Sequence, residues 1–208
     1  MCWDSDGENL VRFWRMPILS CRRHIKKLLR YAVRDDVDLW SLDECHFQQH
    51  GSRCAMWIPP EETDPVLLHA PTRKHVGLLG AVRIADGKLV TRVEETFNGI
   101  SFGDFLEQLL AHRRAGRRMQ LILDNASYHH ACYFRNWLKA RRRWMKLDFL
   151  PAYSPELNPI ERVWKLTRRL CTHNRYFPTL QELVESVQTQ FVHWSKPNST
   201  LRRLCAVI

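Results

Sequence analysis

Apolar and polar positions along the chain follow the spacing of strands in several segments. The run at residues 37–43 predicts a strand that ends at Asp43, and the run at 119–124 predicts another that ends at Asp124. Two β-prone runs, at 75–82 and 88–97, flank Ala85-Asp86-Gly87, and an Asp-Gly in that position is a hairpin signal. Two shorter strands are also predicted, one ending at 57–60 and one over 145–150.

Helical spacing alternates with these strands. It predicts a helix that begins near Ser20, and further helices over 101–114, about 131–143, about 159–172 and about 179–194. Gly116 would stop the second of these, and Thr179 with Glu182 forms a capping-box pattern at the start of the last. The order of the elements predicts an α/β fold with a mixed sheet flanked by helices.

Composition is consistent with one globular domain. The chain has 208 residues, 45% of them hydrophobic, and lacks an apolar run near the ~20 residues that span a bilayer. The acidic start, Met1–Glu8, does not resemble a signal peptide, so we expect a cytoplasmic protein with no membrane partner. Seven scattered cysteines form no C-x-x-C pair, which predicts neither disulfides nor a structural zinc site.

Charge points to a polyanionic partner. The formal net charge is +10, and residues 9–34 contain eight Lys or Arg and no acid. Nucleic acid is the common partner of such a surface, although a basic protein without a particular ligand is equally consistent with charge alone. The basic face of the first helix also has two interpretations, because a solvated face and a phosphate-contacting face both fit the pattern.

Three carboxylates have positions that suit metal-dependent chemistry on a nucleic-acid backbone. Asp43 and Asp124 follow predicted strands, and Glu161 lies where a helix begins, so the three side chains can meet at one edge of a sheet. Carboxylate oxygens are the ligands that Mg²⁺ prefers, and two such ions support in-line phosphodiester cleavage. Each residue also has an ordinary explanation: a strand terminus, an Asp-Asn turn, or a capping box with Asn158.

The residues around the carboxylates resemble a known family. Three blocks resemble those of the DDE transposases, and most of all the bacterial insertion-sequence relatives of the mariner superfamily: Leu-Asp-Glu-Cys-His-Phe at 42–47, Leu-Asp-Asn-Ala-Ser-Tyr-His at 123–129, and Leu-Pro-Ala-Tyr-Ser-Pro-Glu-Leu-Asn-Pro-Ile-Glu at 150–161. Between Asp124 and Glu161 lie 36 residues, near the short spacing of that branch. The resemblance extends over residues from about 36 to 195.

The resemblance implies an RNase H-like fold and a two-ion site. By family position, Asp43, Asp124 and Glu161 are the catalytic metal ligands, for two Mg²⁺ or Mn²⁺ ions. Asn125 and His129 match positions near that site, where contact with the ligands or the substrate and a purely structural role both stay open. Glu44 is not expected to be a ligand, because adjacent strand residues point to opposite faces.

The resemblance also implies partners and a reaction. Relatives cut DNA at transposon ends and join the freed 3′-hydroxyl to target DNA, usually at a TA dinucleotide, in an assembly with two active sites, so a homodimer on DNA is expected. Positive charge near the catalytic half lies in five arginines that are candidates for DNA contact, with a solvated helix face as the alternative: Arg141, Arg142, Arg143, Arg168 and Arg169. The expected location is the bacterial nucleoid.

The chain departs from the family before its first catalytic strand. We therefore expect two parts, a basic N-terminal segment at 1–36 and a DDE catalytic domain at 37–208. Relatives have a helix-turn-helix region there, so a truncated copy, a frameshifted copy, or one half of a split reading frame with a partner chain is expected. Two other functions remain as alternatives: an inactive DNA-binding remnant that inhibits an intact transposase, and an RNase H-like nuclease acting on RNA hybrids or junctions.

Overall fold

The computed structural model describes residues 23, 26–55, 57–61, 66, 68–130, 135–151 and 154–206. These residues form one five-stranded sheet with helices on both faces, which confirms the predicted α/β class. Across the described ranges, no helix is long and apolar enough to cross a membrane.

The sheet is mixed, and its middle strand is the longest. The strands are β1 Val37–Gln48, β2 His75–Arg83, β3 Leu89–Glu94, β4 Arg118–Leu123 and β5 Met145–Phe149. They lie in the order β3-β2-β1-β4-β5; β2 is antiparallel to both of its neighbours, β1 and β3, whereas β4 is parallel to both β1 and β5. The β2–β3 hairpin is confirmed, and Gly87 at φ +73° supplies the left-handed residue of its turn.

Helices cover the sheet in an uneven arrangement. They are α1 at 26–32, α2 Gly99–Leu110, α3 Arg135–Arg141, α4 Ile160–Thr167, α5 Leu180–Trp194 and α6 Ser199–Leu204. Short 3₁₀ turns at Ser127–His130 and Pro155–Leu157 precede α3 and α4, and a π-helical turn at Arg168–Thr172 follows α4. The cap of α2 is a full capping box, in which Asn98 and Ser101 each accept from the other's backbone N–H.

Alternate residues of β1 face two separate hydrophobic cores. Leu39, Cys45 and Phe47 pack into the core that α4, α5 and α6 share, whereas Trp40 and Leu42 pack against α2 on the opposite face. A strand buried on both faces reads as a continuous apolar run, which is why residues 37–42 are recognisable from sequence. Asp43 follows the odd-numbered residues and therefore lies on the α4 face.

Several predicted boundaries are wrong. The first strand does not end at Asp43 but continues to Gln48, because Cys45 and Phe47 keep the buried alternation. The strand predicted to end at 57–60 is absent from the described residues there, and Trp57 is fully exposed. Pro59 and Pro60 lack the N–H that a ladder needs, and β1 pairs directly with β2 instead.

The N-terminal helix belongs to the same packed body where it is described. Leu28 is buried in the core of α4 and α5, Tyr31 packs against that core, and Lys27 Nζ lies 2.6 Å from Oδ1 of Asp148, a residue of β5. The expected cap at Ser20 and the segment 1–19 lie outside the described residues. The division of the chain at residue 36 stays a prediction.

Candidate active site

Asp43 and Asp124 are brought side by side by the parallel pairing of β1 and β4. The register aligns Ser41 with Ile122, so two residues further along each strand lie Asp43 and Asp124, on the same face of the sheet. Asp124 comes directly after the last residue of β4, and its side chain is about half exposed, at 53%. Asp43 lies in the middle of β1, at the level where the neighbouring strand β4 ends.

Helix α4 carries Glu161 in its first turn and lies very close to the sheet beside Asp43. The residue opposite Asp43 on β2 is Gly80, and a Cβ placed there would be 2.3 Å from the ring of Trp164 on α4. Only a residue without a side chain allows this approach. Gly80 therefore determines how near Glu161 comes to the strand that carries Asp43.

A buried hydrogen-bond network attaches the start of α4 to β1. The Ser41 hydroxyl donates to Asn158 Oδ1 and accepts from the backbone N–H of Ile160 at 3.0 Å. Asn158 Nδ2 in turn donates to the carbonyl of Leu42 at 3.1 Å. Asn158 thus does not use its side chain as the cap of α4 but as a link to the strand, one residue away from Asp43.

The three predicted carboxylates line one cavity. Its volume is about 350 Å³, and it is bounded by the end of β4, the chain after β5 and the start of α4; its walls include Asp43, Asp124, Asn125, Asn158 and Glu161. The structure therefore brings together residues that are 81 and 37 positions apart in sequence. The cavity lies at the carboxyl ends of the parallel strands, where open α/β sheets commonly bind ligands.

Negative charge is concentrated at this cavity. Burial, followed by the charges of Glu44, Glu161 and Asp124, raises the pKa of Asp43 to about 8. A carboxyl group with such a pKa gains from a nearby cation, which removes both the repulsion and the cost of burying charge. Three converging carboxylates with open space between them are a donor set of the kind that Mg²⁺ and Mn²⁺ prefer.

His129 lies between Asp124 and Glu44 and is buried. Its Nδ1 is 3.2 Å from Asp124 Oδ1 and 3.3 Å from the Asp124 carbonyl, and its Nε2 is 3.3 Å from Glu44 Oε1. The Nε2–Oε1 pair is at ion-pair distance without the alignment of a hydrogen bond. Among the described residues, these three form the one tight group of metal-type ligand atoms, all within 4.8 Å of one another.

That tight group is a poor cage for a single ion. The two ring nitrogens point to different carboxylates, so the imidazole occupies the space that an ion shared by Glu44 and Asp124 would need. The arrangement instead resembles the carboxylate–histidine pairs that hold a ligand in orientation. Glu44 is not among the residues that line the cavity, but its carboxylate contacts His129, which lies beside Asp124. That Glu44 is not a metal ligand stays a prediction.

The other predicted site residues have mixed surroundings. Asn125 lines the cavity, and its Oδ1 lies 2.6 Å from His130 Nε2. Arg141 stacks on Trp137 at 4.2 Å, and Arg168 lies over Phe47 with Nη2 3.0 Å from the sulfur of Cys45. Three further arginines are exposed: Arg142, Arg143 and Arg169. A role for these five arginines in DNA contact stays a prediction.

Sequence reasoning missed the residues that support the carboxylates. Ser41 and Gly80 lie on strands and carry no chemistry of their own, and Asn158 was interpreted as a helix cap. The available signal was periodicity, since Ser41 shares a face with Asp43, two residues away.

Comparison with known proteins identifies the class of this domain. A family model described as DDE superfamily endonuclease matches residues 38–184. The Tcb1 transposase of Caenorhabditis briggsae is 31% identical over 201 residues, which cover 88% of this chain and 71% of that protein. A 39 kDa protein of insertion element IS630 from Shigella sonnei is 27% identical over 111 residues, covering 53% of this chain and 32% of that protein.

A solved structure shows the same fold. The mariner Mos1 paired-end complex with Mg superposes with a TM-score of 0.61 at 18% identity, covering 99% of this chain and 63% of the Mos1 chain. The domain is thus an RNase H-like nuclease fold. The chain belongs to the DDE superfamily of endonucleases, and the relatives that match it include the Tcb1 transposase.

Proposed function

We propose that the chain is the catalytic part of a transposase that uses divalent cations to cut DNA at the ends of its element. It then joins the freed 3′-hydroxyl to target DNA, at a TA dinucleotide. The observation that carries the proposal is the convergence of Asp43, Asp124 and Glu161 on one cavity. The family match supports the reaction class.

The residues present fit a pair of Mg²⁺ or Mn²⁺ ions. Asp43, Asp124 and Glu161 would hold them, and Mos1, a protein of the same fold, has been crystallised as a paired-end complex with Mg. When bound, such ions activate the attacking oxygen and stabilise the leaving oxygen of a phosphodiester. With Asp43, Asp124 and Glu161 as the metal ligands, His129 and Glu44 are groups that position Asp124.

The chain's own contribution is to hold three carboxylates in place before the ions arrive. Asp43 is fixed by a central strand, Asp124 by the end of its neighbour and by His129, and Glu161 by a helix attached through Asn158. Such preorganisation reduces the reorganisation needed during the reaction. The cavity opens beside the exposed Asp124, which leaves room for a backbone phosphate.

The expected assembly is inferred from the proposed reaction and not from a contact seen in the structure. A homodimer on DNA would supply two active sites, and a partner chain would supply recognition of the transposon ends. The chain spans 63% of the Mos1 chain and 32% of the IS630 protein, so these partners belong to the proposal. A location on the bacterial nucleoid belongs to it as well.

Plasmid nicking tests the proposed function. Purified protein with Mn²⁺ should convert supercoiled DNA to the nicked form, and Glu161→Gln, which keeps the side-chain shape, should abolish the conversion. Chelation of the metal should have the same effect. A wild-type protein that binds DNA but does not nick it, alone or with transposon ends, would favour the inactive remnant.

A further inference from the structure

A second surface of the molecule is lined by arginines, at the sheet edge opposite the catalytic cavity. Two adjoining hollows of about 870 Å³ and 410 Å³ share Arg34 and Arg117. Together they form what we call the arginine edge, whose basic residues are Arg34, Arg113, Arg114, Arg117, Arg118, Arg143, Arg202 and Arg203. The larger hollow exceeds the catalytic cavity in volume.

The arginine edge lies at the amino ends of the parallel strands. Arg34 precedes β1, Arg118 begins β4 and Arg143 precedes β5, whereas Asp124 follows the far end of β4. Six strand residues at about 3.3 Å each separate the two edges, a distance of about 20 Å. A phosphate at the arginine edge therefore does not occupy the catalytic cavity.

Acidic side chains neutralise only part of this surface. Arg34 pairs with Asp36, with Nη2 2.5 Å from Oδ2. Buried Asp38 pairs with Arg114 and with Arg117, whose Nη1 lies 3.3 Å from Oδ1. The linings of both hollows contain two carboxylates, Asp35 and Asp36, against eight arginines. Asp38 lies behind the lining, and the charge of Asp86 also acts on Arg114.

Five of the eight arginines form no ion pair with a carboxylate among the described residues, although the charge of Arg118 contributes to lowering the pKa of Asp36: Arg113, Arg118, Arg143, Arg202 and Arg203. Within the described part of the chain, Nε of Arg118 is buried and makes no hydrogen bond. Arg113 is held in place by donating to the carbonyls of Arg114 and Arg117, at 3.2 and 3.0 Å, which leaves its charge unpaired. Guanidinium groups that are positioned but unpaired suit phosphate oxygens, which accept from them in a bidentate manner.

We propose that the arginine edge binds the phosphate backbone of a second segment of duplex DNA, separate from the strand at the catalytic cavity. Charge complementarity and the concave shape support a polyanion, and the proposed function selects DNA among polyanions. The proposal rests on the proposed function for that choice alone. Contacts with phosphates only would make the binding independent of base sequence.

Salt dependence of binding measures the number of phosphates contacted. The full chain without metal would be titrated with a fluorescent 25-base-pair duplex between about 50 and 200 mM NaCl. Each lost phosphate contact lowers the slope of log K against log salt by about 0.9. The double substitution Arg143→Gln with Arg203→Gln should lower the slope by about 2 and weaken binding equally on unrelated sequences.

A charge-matched control separates a specific contact from a general loss of charge. Arg92 on β3 is already paired with Glu94 and with Asp104, so Arg92→Gln should leave the slope unchanged. Arg143, Arg202 and Arg203 are exposed, so their substitution should leave the melting temperature unchanged. Arg202→Glu, which reverses the charge, should weaken binding further than Arg203→Gln.

The outcomes are distinct from those of the nicking test. Loss of slope in the double variant supports the arginine edge even if wild-type protein never nicks DNA. Equal slopes for the double variant and the Arg92→Gln control would overturn the proposal. The proposal would also be overturned if the double variant kept the DNA affinity of wild type but lost binding to poly-glutamate, a polyanion tested in parallel. That result would assign the surface to an acidic protein segment.

Discussion

Asn158 donates from Nδ2 to the carbonyl of Leu42 at 3.1 Å, and so joins the start of α4 to the strand residue that precedes Asp43. The same side chain accepts from Ser41, so one buried amide satisfies two groups of β1. The hydrogen bond thus joins two residues that are 116 positions apart in sequence, at the wall of the cavity. The distance between Asp43 and Glu161 depends on this connection.

Asn158→Ala should destabilise the protein and reduce nicking together. It leaves the Leu42 carbonyl and the Ser41 hydroxyl without their partner, at a cost of about 1–3 kcal/mol. Urea unfolding measures the loss, and nicking at saturating Mn²⁺ measures the misplaced Glu161. Ser41→Ala, which removes the hydrogen bonds to Asn158 Oδ1 and from the backbone N–H of Ile160, should cost about as much. Equal stability of Asn158→Ala and wild type would show that the network does not hold α4.

Gly80→Ala tests the close approach of α4 to the sheet. The new Cβ would collide with the far end of the Trp164 ring, and overpacking of this kind costs about 1–3 kcal/mol. Trp164→Phe removes the colliding atoms but leaves a void when introduced alone. The double substitution should therefore be more stable than the sum of the single effects allows. Strictly additive losses in thermal unfolding would contradict the contact.

His129 should be needed for metal affinity rather than for folding alone. Removal of a group that orients a ligand costs about 10–100-fold in affinity or activity. His129→Gln should weaken Mn²⁺ binding by that factor, and Glu44→Gln by less. Because both act through Asp124, the double variant should lose no more than His129→Gln does. His193→Gln, at an exposed position on α5, serves as the control. Undiminished Mn²⁺ affinity in His129→Gln would leave the residue a structural one.

The raised pKa of Asp43 predicts a pH-dependent loss of stability in the metal-free protein. The folded-state pKa is about 8, whereas an aspartate side chain ordinarily has a pKa of 3.8, so the folded state binds the proton more strongly. The stability that this group contributes is fully present below its unfolded pKa and is lost as pH rises through about 8. Asp43→Asn abolishes this dependence.

The loss runs from the unfolded pKa to about pH 8, and thermal melts of metal-free protein at about pH 6 and about pH 9 sample its upper part. The melting temperature of wild type should fall between them relative to Asp43→Asn, by at least about 3 °C, since 1 kcal/mol corresponds to about 2–4 °C at this chain length. Asp36→Asn is the matched control, because its partner Arg34 lowers the pKa of Asp36 and the carboxylate is ionised throughout. Parallel curves for wild type and Asp43→Asn would disprove the assigned pKa.

Much of this fold is readable from sequence because β1 and β4 are buried on both faces. Their apolar runs mark Asp43 and Asp124, and the Asp-Gly turn marks the β2–β3 hairpin. Charged residues inside a strand hide its true end, so the interpretation stopped at Asp43, although Phe47 is still buried. Pattern alone also gave a false strand before Pro59.

The residues that support the carboxylates could not be predicted from the sequence, for a different reason. Gly80 has no side chain and matters only because Trp164 faces it, and Glu44 matters only because His129 lies behind Asp124. Such roles depend on tertiary neighbours, which no local pattern specifies. The short helix α6, six residues capped by Asn198, is likewise too brief for a periodicity to reveal it.

The most direct test of the shared cavity is a calorimetric titration of the full chain with Mn²⁺, comparing wild type with Asp124→Ala and Glu161→Gln. Wild type should bind Mn²⁺ saturably, and each variant should lose at least about tenfold in affinity, because removal of a ligand should cost no less than removal of its support. Affinity that is unchanged in both variants would contradict the assigned metal ligands.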